Sequence, residues 1–282
     1  MVRLLPFMEQ KPLYDQIASP QTYNGINYPA FNVRPMDTNY EPWGASIPTL
    51  LCPSDPEANG AGELGRCSYH FSNGDYAGWW GMHRTRGPFG VGVLYPSWEN
   101  WYRGGVIGFS DIRDGTSNTL AMSERGIPGG GNPRSIKTAV AINQTAAINY
   151  ANLPEWTSSS PIVCMSLRGE SGRYAEGVAT ANWTEGSFSF GWQGRNAEIS
   201  TILPPNGPSC AVAAHDFGAV IFTPTSYHPG GVNTVFLDGS VRFISDQIDT
   251  GDLSQPWVHS GPSPYGVWGA LGSKGGGEVA SY

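Results

Sequence analysis

Asp111, Asp114, Thr116 and Asn118 crowd four oxygen-bearing side chains into the turn Asp-Ile-Arg-Asp-Gly-Thr-Ser-Asn, a donor set that suits a hard cation. Asp111, Asp114 and Asn118 would ligate it, with Ca²⁺ the matching ion. The spacing departs from an EF-hand loop: the second acid comes three positions after the first, and no bidentate glutamate follows at the required distance, although Glu124 is near. The competing reading is a plain Asp114-Gly115 turn whose side chains bond neighbouring amides, in which case the protein has no cofactor. A second pair, His228 and Asp238, is separated by ten positions with Gly239 behind it. If the segment between them is extended at about 3.3 Å per residue, the two side chains lie on the order of 20 Å apart. They then share no ligand sphere unless Gly230-Gly231 bends the chain, and His228 is expected to orient the Pro229-Gly230-Gly231 turn through a backbone hydrogen bond.

The four cysteines, Cys52, Cys67, Cys164 and Cys210, include no pair with the two-residue spacing of a zinc knuckle or redox motif, which argues against chelation by paired thiolates. An even number of cysteines in a chain rich in Gly and Pro fits an oxidising compartment, with Cys52–Cys67 and Cys164–Cys210 the simplest pairing. The alternative is four buried free thiols. Neither a Gly-x-Ser-x-Gly elbow, a phosphate-binding Gly-x-x-x-x-Gly-Lys loop nor a His-Glu-x-x-His pair occurs. Trp79, Trp80, Trp98, Trp101 and Tyr102, with Asp75 nearby, lie in a Gly-rich region where exposed rings could stack on sugars and the carboxylate could hold hydroxyls. The same rings could equally close a core beneath long loops.

These residues must be positioned by elements the composition restricts. With Gly 38, Pro 23 and only 14% charged residues in 282, the chain is no helical bundle or charge-rich disordered polymer. The net charge of -7, with no basic cluster, excludes nucleic acid as a partner. Apolar residues from Leu5 to Ile17 predict a short amphipathic helix restarting at Pro12. Beyond it, short apolar runs alternate with Gly, Pro, Asn and Ser, the pattern of strands joined by long loops. Residues 232–245 predict a β-hairpin around Asp238-Gly239, in a two-residue turn requiring positive φ at both positions. Strands are also expected at 118–123 and 218–223.

On the stretches His228 to Asp238-Gly239, Cys52-Pro53-Ser54-Asp55, Leu4 to Gln10, Asp114 to Thr119 with Glu124, and Pro204 to Cys210, the chain resembles a planctomycete-type family of pilin-like proteins of unknown function (domain of unknown function 1559). That family is similar to type II secretion pseudopilins at a prepilin amino terminus and ends in a His-x9-Asp-Gly motif. The resemblance implies an α+β, mainly β fold, in which an antiparallel pilin-like sheet with long loop insertions packs on an amino-terminal helix. Residues 1–20 would then be the remnant of that helix, most of it missing from this chain, and 21–282 a single globular head. It further implies an extracytoplasmic, non-enzymatic structural or surface-binding protein, located in the periplasm, envelope or cell surface. Its partners would be pilin-like subunits or secretion machinery, with membrane contact only through the missing helix. It also strengthens the disulfide expectation. Two other readings remain: a carbohydrate- or solute-binding module built on Trp79–Tyr102, and a polysaccharide-active enzyme, which would need two carboxylates about 5 to 9.5 Å apart.

Overall fold

The computed structural model describes residues 1–278 except 33, 36, 61, 78–85, 90–106, 130–132, 149–158, 183–185, 190–197 and 215–218. The first residues wind as a 3-10 helix, Val2–Met8, which ends at Glu9 in the left-handed region (φ 58°). An α-helix follows, α1 (Lys11–Ile17), with Pro12 in its first turn, where a missing N–H costs nothing. Leu5 and Ile17 are wholly buried against Tyr28, Tyr40, Trp43 and Phe188. These rings meet tilted or edge to face, Tyr28–Tyr40 at 4.9 Å and Tyr40–Trp43 at 5.1 Å, the geometry their quadrupoles favour. No helix among the described residues is long and apolar enough to cross a membrane.

A short hairpin pairs β1 (Gln21–Tyr23) with β2 (Ile26–Tyr28), and two larger sheets, with the one-turn helix α2 (Ile162–Met165), carry the rest. The five-stranded sheet joins, in spatial order, β11 (Val241–Ser245), β10 (Gly231–Phe236), β4 (Leu120–Glu124), β3 (Tyr69–Gly74) and β7 (Glu198–Ser200). The four-stranded sheet joins β6 (Thr180–Ala181), β5 (Val140–Ala141), β8 (Cys210–Ala211) and β9 (Val220–Ile221). Pairing is antiparallel except for β3 with β7 and β5 with β8. The fold is therefore α+β with mainly antiparallel sheet, as expected. The strand anticipated at 218–223 is β9, in the four-stranded sheet, whereas that at 118–123 is β4, hydrogen-bonded to β10.

Alternation along β10 turns Val232, Thr234 and Phe236 inward, and the register sets Val232 opposite Ile244, so both enter one core. That core takes Leu120, Ile199 and Phe236 from the first sheet and Val140, Ala211 and Val220 from the second. It closes around Trp268 of α3 (Gly266–Gly272), whose indole donates to the Leu203 carbonyl at 2.8 Å. The hairpin turn differs in detail from expectation. Gly239 N–H donates to Phe236 O and Phe236 N–H to Ser240 O, which encloses three residues, and only Gly239 is left-handed (φ 84°). A three-residue loop of this kind needs one glycine, not two positive-φ positions, and Asp238 accepts the Ser240 N–H at 2.9 Å to stiffen it.

Arg125, directly after β4, is fully buried and spans the two sheets. Its guanidinium lies 3.9 Å from the centre of the Phe222 ring and donates to the Thr223 carbonyl, the Ser209 hydroxyl and the Ala139 carbonyl. Burial, and this cation beside it, push His70 down to about 3. The parallel β3/β7 pair buries the Glu198 carboxyl, which burial pushes up to about 8. Between about pH 6.5 and 8 the folded chain thus keeps a proton that the unfolded glutamate, near 4.5, has lost. Stability should fall across this window with a slope approaching about 1.4 kcal/mol per pH unit, then level off above it. Below about 6.5 the unfolded His70 gains a proton that the folded ring does not, and the two slopes oppose. Denaturant midpoints measured from pH 6 to 9 check this, and Glu198→Gln should flatten the profile.

Candidate functional site

Three distant segments converge at the end of β4. Cys52 follows a 3-10 turn (Pro48–Leu50) and opens a β-turn closed by Asp55 N–H on its own carbonyl at 3.0 Å. Its backbone N–H donates to Ser68 Oγ (2.9 Å), and Ser68 N–H to Leu50 O (2.8 Å), which fastens the turn to the chain entering β3. Asp55 completes the attachment: Oδ2 accepts the Ile127 N–H at 2.8 Å and Oδ1 the Glu57 N–H at 2.9 Å. Glu124, the last residue of β4, is buried, and its Oε2 accepts the Asn233 N–H of β10 at 2.8 Å. His228 sits in the turn that leads into β10, where Gly230 adopts φ 80°; its N–H donates to Ser226 Oγ, whose own residue is held by Asn206.

The side chains meet around one point. Cys52 Sγ lies 3.6 Å from Glu124 Oε1 and 3.8 Å from His228 Nε2, and His228 Nε2 lies 3.3 Å from Glu124 Oε1. All three donor atoms are within 4.8 Å of one another. The thiol and carboxylate are buried, while the imidazole is about one-third exposed, so the cluster opens to solvent on the histidine side. The thiol is not set up as a nucleophile: burial pushes it up, although the amides of Ser54 and Asp55, which aim at the sulfur, oppose that shift. A relay would place the carboxylate on the far ring nitrogen. Here Oε1 approaches the same Nε2 that faces the thiol, so sulfur, oxygen and nitrogen gather about a centre instead of forming a chain.

The expected Cys52–Cys67 bridge is corrected by this geometry, whereas Cys164–Cys210 is bonded as expected. Cys52 turns its sulfur to Glu124 and His228; Cys67 points its own at the Tyr69 carbonyl (3.1 Å), and burial pushes that thiol up to about 11. His228 faces the carboxylate, not the turn it was expected to orient. Asp238 stays in the hairpin loop, with Arg242 at 4.0 Å. In the Asp-Ile-Arg-Asp-Gly-Thr-Ser-Asn turn, Asp111 accepts the Gly108 N–H, Asp114 those of Gly276 and Gly277, and Asn118 donates to the Asp114 carbonyl. Those carboxylates face backbone amides. Trp79, Trp80, Trp98, Trp101 and Tyr102 lie outside the described residues, and Asp75 is buried against Arg86 Nε at 2.6 Å.

Sequence spacing could not find this cluster, because its members are 72 and 176 positions from Cys52. The available signal was that Cys52, Glu124 and His228 each fall in a stretch carrying the family resemblance. Asp55 is predicted to hold Cys52 in place. Asp55→Ala, which leaves two amides without acceptors, should cost about 2 to 3 kcal/mol in denaturant unfolding. It should also accelerate alkylation of Cys52, read by peptide mass spectrometry, while Cys67 stays slow.

No curated protein and no solved structure matches the chain. A family model described as a protein of unknown function (DUF1559) matches residues 1–251, and the chain belongs to that family.

Proposed function

We propose that this protein is an exported, pilin-like structural or surface-binding protein, without catalytic activity of its own, that works outside the cytoplasm. The observation that carries the reading is the disulfide between Cys164 and Cys210. It closes a separation of 46 residues and lies wholly buried among Ile136, Tyr174, Leu203 and Ile221. A covalent tie of that kind belongs to an oxidising compartment, and a loop of this length contributes roughly 4 kcal/mol in the chain-entropy model. The sheet body supports a presenting role, since its strands are short and most of the described residues lie in connecting segments. Apolar side chains stand out where a neighbouring subunit could cover them: Phe7 in the last turn of the 3-10 helix Val2–Met8, and Val241 and Phe243 on β11, the outer strand of its sheet. Partners would be like subunits or secretion machinery.

Native protein taken from its own cells tests the reading. It should be found outside the cytoplasm and form crosslinked ladders of its own mass. Denatured without reduction it should take up two alkyl groups, and after reduction four. A cytoplasmic protein with four alkylatable thiols would contradict the proposal. Replacing Cys164 and Cys210 together with Ala should lower the stability of the purified protein by about 2 to 5 kcal/mol in denaturant unfolding.

A further inference from the structure

The cluster of Cys52, Glu124 and His228 has the spacing of ligands about an ion. A charge-assisted N–H···O bond draws its atoms to about 2.7–2.9 Å. Here Nε2 and Oε1 stand 3.3 Å apart, and the sulfur is 3.6 and 3.8 Å from its neighbours. For a tetrahedral Zn²⁺ with bonds of about 2.3 Å to sulfur and 2.0–2.1 Å to nitrogen or oxygen, the edges of the tetrahedron come to about 3.3 Å for N···O and about 3.5–3.6 Å for S···O and S···N. Those are close to the three separations observed.

The groups behind the donors fit the same purpose. Asn233 N–H engages Glu124 Oε2, and Oε1, which also accepts from Asn233 Nδ2 at 3.3 Å, faces the common point. The amides of Ser54 and Asp55 face the Cys52 sulfur. Cys52 N–H is itself anchored on Ser68 Oγ, so the sulfur does not depend on a mobile chain for its position. Such outer contacts orient metal ligands and are a regular part of built sites.

From this geometry we propose that Cys52, Glu124 and His228 form a mononuclear zinc site with its fourth position open to a solvent molecule on the histidine side. A thiolate beside an imidazole and one carboxylate selects a borderline-soft divalent ion over Ca²⁺ or Mg²⁺, which prefer oxygen alone. On binding, the thiol proton passes to solvent and the sulfur joins the ion as thiolate. The site is independent of the export and assembly reading, and either can fail without the other.

The test is titration of the full chain, stripped of metal by a chelator in non-reducing buffer, first with Co²⁺ and then with Zn²⁺. One equivalent of Co²⁺ should give the intense visible bands of a tetrahedral ion and a near-ultraviolet thiolate charge-transfer band, and one equivalent of Zn²⁺ should remove both. Cys52→Ser should abolish the charge-transfer band, and His228→Ala should weaken binding by at least about tenfold. Cys67→Ser, which removes the other free thiol, should change neither. Should the ligand variants not fold, zinc must still slow alkylation of Cys52 in the unaltered protein. Absence of the tetrahedral bands, a charge-transfer band that survives Cys52→Ser, or alkylation of Cys52 indifferent to zinc would each overturn the proposal.

Discussion

A carboxylate taken out of water must be compensated where it lies, and Glu124 imposes that condition on everything around it. It ends β4, in the middle of the five-stranded sheet, with β10 on one side and β3 on the other. One oxygen is settled by the Asn233 amide. The other accepts from the Asn233 side-chain amide at 3.3 Å and is otherwise faced by groups from distant segments, the Cys52 thiol and the His228 ring. The turn at 52–55 and the turn at 228–231 are therefore more than connections; they bring the partners the buried charge requires. The next residue poses the same problem with opposite sign. Arg125 turns to the other side, where the Ala139 carbonyl just before β5, the Thr223 carbonyl just after β9 and the face of Phe222 receive its guanidinium. Two adjacent buried charges on opposite sides of one strand thus fix both the site and the packing of the sheets.

The cysteines divide along the same lines. Cys164 and Cys210 bond within the apolar core that holds Ile136, Leu203 and Ile221. Cys52 and Cys67 are closer in sequence, yet each sulfur already has a polar neighbour, Glu124 with His228 for one and the Tyr69 carbonyl for the other. Direction of the side chain, not proximity along the chain, decides which pair is bridged.

What could be read from the sequence follows how local the cause is. The helix break before Pro12, the strand at 118–123 and the hairpin at 232–245 depend on residues within a few positions, and all three are present. The hairpin turn is one residue longer than the Asp-Gly signal implies because Leu237 joins the loop, which moves the requirement for positive φ from two positions to Gly239 alone. Asp111, Asp114 and Asn118 looked like ligands because oxygen atoms crowd there, but crowding also suits amide acceptors, and the amides of 276 and 277 come from the far end of the chain. The cluster at Glu124 was illegible for the same reason in reverse: no two of its members lie in one element, and β4 to β10 pairing alone brings Glu124 beside the strand that His228 precedes.

The fold brings a sulfur, a nitrogen and an oxygen within 4.8 Å of one another, around one metal-sized centre. Diffraction from crystals grown with zinc, recorded on both sides of the zinc absorption edge, tests that directly. A zinc ion held there should give a single anomalous peak about 2.0 to 2.3 Å from Cys52 Sγ, Glu124 Oε1 and His228 Nε2. Peaks confined to other positions, or electron density joining Cys52 to Cys67, would contradict it.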